Sequence, residues 1–222
     1  MNTDDLIERI ASANAPLRPL RPPLVRALLW LAIAVPYVAL VVFLHPHTPA
    51  ITAAIFDPRM AVEWTAALVT GITAAWAAFA STVPGYNRRI LWLPALPAVA
   101  WFGSLGAGCV NDWLRYGAYG LSLRTDWDCL PPGIVIGIIP LIAILVMLRR
   151  GAPLRPRASV ALAALAVAGL GNAGLRLFHP GDATIIILVW HVGVAFAATA
   201  LAGLLGKLVL SWKQAWSRAV PG

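Results

Sequence analysis

Residues 131–148 read PPGIVIGIIPLIAILVML, eighteen positions without one charged or hydrogen-bonding side chain. A helix of this composition has no polar face to offer water. Its length approaches the roughly 20 residues that cross the hydrocarbon core of a bilayer. It stops on Arg149 and Arg150, as spans do where they meet the headgroups. Working outward, the same kind of run recurs at 27–44, 60–82, 90–110, 159–177 and 184–210. Backbone amides in lipid must be satisfied within each segment, and none of these runs alternates with the period of a barrel strand. The expected fold is an all-α integral membrane bundle of six transmembrane helices, residues 23–212. It is flanked by short tails at 1–22 and 213–222. Pro36, Pro94, Pro97 and Pro140 fall inside the spans, where each removes a backbone donor and should kink its helix.

Composition agrees with this class: 60% of the 222 residues are hydrophobic, 12% are charged, and the mean hydropathy is +0.78. The net charge of +8 would suggest nucleic acid in a soluble chain. In a membrane chain it reports topology, and no direct nucleic-acid contact is expected. With the amino terminus inside, the inner segments hold Arg9, Arg18, Arg21, Arg26, Arg88, Arg89, Arg149, Arg150, Arg155, Arg157, Lys207, Lys213 and Arg218. Only Arg59, Arg115, Arg124 and Arg176 fall outside. Thirteen against four places both termini in the cytoplasm of a multi-pass inner-membrane protein. The first run lacks a convincing signal-peptide cleavage site and reads as an uncleaved span. Trp30, Trp64, Trp92, Trp101, Trp113, Trp127, Trp212 and Trp216 lie near span ends, as in an interfacial aromatic belt. The pentapeptide APLRP occurs at 15–19 and again at 152–156, each time before a span on the same face. Inverted transporter repeats would place such echoes on opposite faces.

Catalytic signatures are missing. The chain has no GxxxxGK[ST], HExxH, GxSxG or GxGxxG, so an enzyme is not expected. Ionisable residues within the spans are few: Glu63 and Arg176, near enough to span ends to reach the interface, and His191, two turns into the last span. The outer side is richer in chemistry. Cys109 closes the third span, Asp112, Asp126, Asp128 and Cys129 follow, and the next outer loop adds His179 and Asp182. A Cys109–Cys129 disulfide suits an oxidising compartment and would contribute roughly 3 kcal/mol in the chain-entropy model. The other reading is transient binding of a soft metal ion by Cys109, Cys129, His179, Asp182 and His191, although their spacing matches no zinc motif. No resident cofactor is expected.

The amino-terminal tail reads as a short helix. Thr3 is placed as its cap, Asp4 and Asp5 in its first turn, and Leu6, Ile7 and Ile10 on one face. Ten residues are too few for a helix to persist alone in water, so the apolar stripe expects a partner surface. Its acids make a basic protein a better partner than an anionic membrane.

Several of these segments together resemble the NrsF family. They are Asn2-Thr3-Asp4-Asp5-Leu6-Ile7, the Pro19-Leu20-Arg21-Pro22-Pro23 elbow before a tryptophan-bearing span, RRGAPLRP at 149–156, and Leu175-Arg176-Leu177-Phe178-His179-Pro180 with Trp190-His191. The resemblance covers essentially the whole chain. It implies a six-span bacterial anti-sigma factor that holds an extracytoplasmic-function sigma factor at the membrane. Release would follow heavy-metal or oxidative stress sensed through cysteines. Cys129 matches the family's first sensing position, after the third span. At the second, ahead of the last span, this chain carries His179 and Pro180. The resemblance further implies that residues 1–20 and the basic inner loops bind the sigma factor. A small transporter or channel is the alternative reading and would need a polar path at mid-membrane. A haem-type redox enzyme would need paired deep histidines, and only His191 is deep.

Overall fold

The computed structural model describes residues 2–13, 20–44, 58–117, 130–151 and 155–177, together with Gly193, Ala197, Ala200, Leu201, Gly203, Leu204, Gly206 and Leu210. Among these residues all regular structure is helical. The helices are α1 (Thr3–Ala13), α2 (Pro23–Leu44), α3 (Pro58–Ala80), α4 (Ala95–Tyr116), α5 (Leu130–Leu148) and α6 (Pro156–Leu175), with a 3-10 turn at Arg88–Trp92 ahead of α4. Five segments are long and apolar enough to cross a membrane: α2, α3, α5, α6, and α4 with its leading turn. The sixth expected span, 184–210, lies mostly outside the described residues.

α3 and α6 form the most extensive helix pair, and α2 and α5 pack along them; α4 packs chiefly on α3. Small residues make the central pair. A Cβ on Gly169 would come within 2.7 Å of the Ala67 carbonyl oxygen, and one on Gly71 within 3.0 Å of the Leu170 nitrogen, so the two backbones touch. Ala74, Ala75, Ala78, Ala163, Ala166 and Ala173 extend the same seam. Trp64 donates to the Ala173 carbonyl at one end, and the Ser81 and Ser159 hydroxyls meet at 2.7 Å at the other, which fixes an antiparallel register. Many large apolar side chains face out: Leu28, Ile33, Leu40 and Phe43 on α2, and Ile134, Ile138 and Ile142 on α5, are exposed, while Ile136, Ile144 and Leu148 of α5 are buried. A small-residue seam between the central helices together with so many exposed large apolar side chains is an arrangement that suits lipid better than water.

Three expectations are revised. Pro94 does not interrupt a helix: it stands at the N-cap of α4, and Pro97 lies in the first turn. Amides there have no intrahelical acceptor, so proline costs nothing, and the expected span divides into a 3-10 turn and a helix. Trp30 and Trp101 are not belt residues, being 0% and 1% exposed. The Trp30 indole donates to the carbonyl of Pro140, inside α5. At the amino terminus, Leu6 N–H donates to the Asn2 carbonyl, so the cap is Asn2 and Thr3 is already helical.

Candidate functional site

The bundle has two chemically different ends. The first gathers the start of α2, the ends of α3 and α5 and the start of α6. Arg26, counted in the sequence as a loop charge, lies inside α2 and is 5% exposed. Its Nη1 donates to Thr82 Oγ1 at 2.9 Å and its Nη2 to the Met147 carbonyl at 2.6 Å, while the guanidinium stacks 4.7 Å from the Phe79 ring centroid. Thr82 and Met147 mark the carboxyl ends of α3 and α5, where helix dipoles gather negative potential. The cation is thereby met by two helix termini and an aromatic face rather than by an acid. Gly206 packs against Pro156, the first residue of α6, with no room for a Cβ. The amino end of the bundle and its last described turn therefore share this end. Arg88, Arg89, Arg149, Arg150, Arg155 and Arg157 surround it.

At the opposite end, Glu63 on α3 and Arg176 at the C-cap of α6 are 2% and 9% exposed. Arg176 Nη2 donates to Glu63 Oε2 at 3.3 Å, and Nε stands 2.9 Å from Oε1 as an ion-pair contact rather than an aligned hydrogen bond. This corrects the expectation that both side chains reach the interface: each turns inward to the other. The Asn172 Oδ1 atom, one turn before Arg176, and the Trp101 Nε1 atom of α4 are buried without a hydrogen-bond partner among the described residues. Cys109, in the last two turns of α4, is a partly buried free thiol. Asp112 and Arg59 are the charged groups facing it.

Of the expected site residues, Asp4, Asp5, Leu6 and Ile7 lie exposed on α1, which forms no substantial contact with any other described helix. Ile10 follows one turn later in the same helix. Cys129, His179, Asp182 and His191 lie outside the described residues. Among the described residues no three of His, Cys, Asp and Glu gather into a metal site. Cys109 stands as a free thiol, and its expected disulfide partner, Cys129, lies outside the described residues. The ion pair and the buried Arg26 were missed because sequence marks a residue's depth along a helix but not the direction it faces.

The described residues thus form a helical bundle with an apolar outer surface and charged groups at both ends, preceded by an amphipathic helix that makes no substantial contact with another described helix. Residues 10–212 match the family model of NrsF, negative regulator of sigma F. The match covers most of the chain, which belongs to this family of sigma-factor regulators, and its partner is a sigma factor. No curated protein and no solved structure gives a significant match.

Proposed function

We propose that the chain is a membrane-bound anti-sigma factor that holds an extracytoplasmic-function sigma factor at the cytoplasmic face and frees it on heavy-metal or oxidative stress sensed at the periplasmic face. The observation that carries this reading is α1. Leu6 and Ile7 are 41% and 60% exposed, acids occupy the first turn, and the helix makes no substantial contact with any other described helix. An apolar stripe left open beside Asp4 and Asp5 suits a groove on a basic DNA-binding regulator. The shared end of the amino terminus and Leu210 is the arginine-rich one, which supports an inside location for both tails.

The sensing end is then the one holding Cys109, with Cys129, His179, Asp182 and His191 as the further ligands or thiols of the sensor. α6 runs from Arg176 at that end to Arg155 at the basic end. A change in the outer loops that altered the packing of α3 on α6 would reach the basic face through one rigid pair. Release is then a shift between two states of the bundle that bind the sigma factor unequally.

Replacing Leu6, Ile7 and Ile10 with Asp tests the contact. Each apolar side chain buried in a groove contributes roughly 1.5 to 3 kcal/mol, so the triple variant should lose a micromolar complex while remaining in the membrane. Undiminished capture of the sigma factor by that variant would refute the role given to α1.

A further inference from the structure

The connection between α3 and α4 folds over the arginine-rich end and leaves a cleft of about 440 Å³, within the size range of small-ligand sites. Ser81, Tyr86, Asn87, Arg88 and Leu91 line one side, and Arg155, the residue leading into α6, lines the other. The loop is held in shape locally: Gly85 takes a positive φ of 75°, and Asn87 accepts a hydrogen bond from the Arg89 amide. Neither arginine has an acidic neighbour in the adjoining chain. Residues 81–94, 149–158 and 211–222 contain no Asp or Glu, and the acids expected on this side are Asp4, Asp5 and Glu8 of α1. The cleft is therefore polar and cationic without an internal counter-charge.

Its surroundings point to the class of anion. Leu91, with Ala80 and Val83, forms the apolar part of the wall, and the chain leaving Leu91 carries Trp92 and Leu96, which are 78% and 80% exposed. A polar cationic hollow bordered by a bare indole and leucine matches a molecule with an anionic head and hydrocarbon tails. We infer that this cleft holds the phosphate of an anionic phospholipid headgroup between Arg88 and Arg155, with an acyl chain lying along Trp92 and Leu96. Guanidinium groups from two walls can share the non-bridging oxygens, and the Tyr86 hydroxyl can donate to the same group. The inference rests on the membrane reading above, because it requires this end to lie at headgroup depth. It does not depend on the sigma factor.

The test uses the full chain purified in neutral detergent, without partner, and follows thermal unfolding against added phosphatidylglycerol, phosphatidylcholine or inorganic phosphate. Phosphatidylglycerol should raise the melting temperature and phosphatidylcholine should not. In Arg88→Gln/Arg155→Gln the apparent affinity for phosphatidylglycerol should fall about 30-fold, as expected for two basic residues at a membrane surface. Both side chains are exposed, so the variant keeps its core. Stabilisation by inorganic phosphate equal to that by the lipid would reassign the site to free phosphate and overturn the headgroup assignment. An equal lipid response in wild type and double variant would overturn the site itself. A response that appears only in Asp4→Asn/Asp5→Asn/Glu8→Gln would mean that the tail occupies the cleft, and would also overturn it.

Discussion

Glu63 and Arg176 are charges removed from solvent in a bundle whose surroundings are apolar, and each is tolerable only because of the other. Taking two ions out of water costs about as much as their attraction returns, but removing one partner strands the other, at about 3–5 kcal/mol. Glu63→Gln and Arg176→Met should therefore each destabilise the detergent-solubilised protein by about that amount in denaturant unfolding. Glu63→Leu/Arg176→Met should recover much of the loss, and single variants indistinguishable from wild type would show that the pair is not formed. Cys109 yields a second prediction at this scale. A free, partly buried thiol should be alkylated slowly in the untreated protein and without a reductant. Labelling only after reduction would establish the bridge to Cys129 instead. Cys129→Ser should blunt the response to a soft metal such as cadmium while basal repression persists, and His179→Ala should act in the same direction if the two share a metal.

The helices themselves were readable, because runs of 18 or more apolar residues leave no soluble alternative and their lengths are close to those observed. Their inward faces were not. In a soluble helix the apolar stripe marks the buried side, but in α2 and α5 nearly every side chain is apolar and the period carries no direction. Residue size carries part of it instead: Ala, Gly, Ser and Thr line the seam of α3 with α6, while many Leu, Ile and Val side chains of α2 and α5 face out, and Phe79, Ile136, Ile144 and Leu148 are buried. Arg26, Glu63, Trp30 and Trp101 were misplaced for the same reason, since rules that assign charges and indoles to the interface describe depth alone. The glycines test the seam. Gly169→Ala would press a methyl against backbone atoms of α3 and should cost about 1–3 kcal/mol as overpacking. Gly103→Ala, on a face of α4 with nothing within 4 Å, should be neutral or slightly stabilising through helix propensity. Equal effects at the two positions, read from unfolding in detergent, would contradict the α3–α6 contact.

At the scale of the molecule, the basic asymmetry and the shared location of the bundle's first and last described turns make one prediction about topology. Reporter fusions after Arg89 and after Pro156 should read cytoplasmic, and a fusion near Ser122 periplasmic. The opposite result at any two sites would invert the bundle and place α1 out of reach of a sigma factor. The family and the all-helical fold were both legible in the sequence, from short motifs spread over the whole chain and from hydropathy. The candidate sensor was legible only as a list of residues, because Cys129, His179, Asp182 and His191 fall in expected loops and an expected last span for which no local pattern dictates packing, and all four lie outside the described residues. The central claim is that an integral membrane chain retains its sigma factor through the free amino-terminal helix. It is tested most directly by the partition of the sigma factor between membrane and cytoplasmic fractions of unstressed cells carrying either the full chain or a variant lacking residues 2–14. The account predicts a membrane-associated sigma factor with the full chain and a soluble, active one with the variant, which itself stays in the membrane. A sigma factor that remains in the membrane fraction with the shortened chain would contradict it.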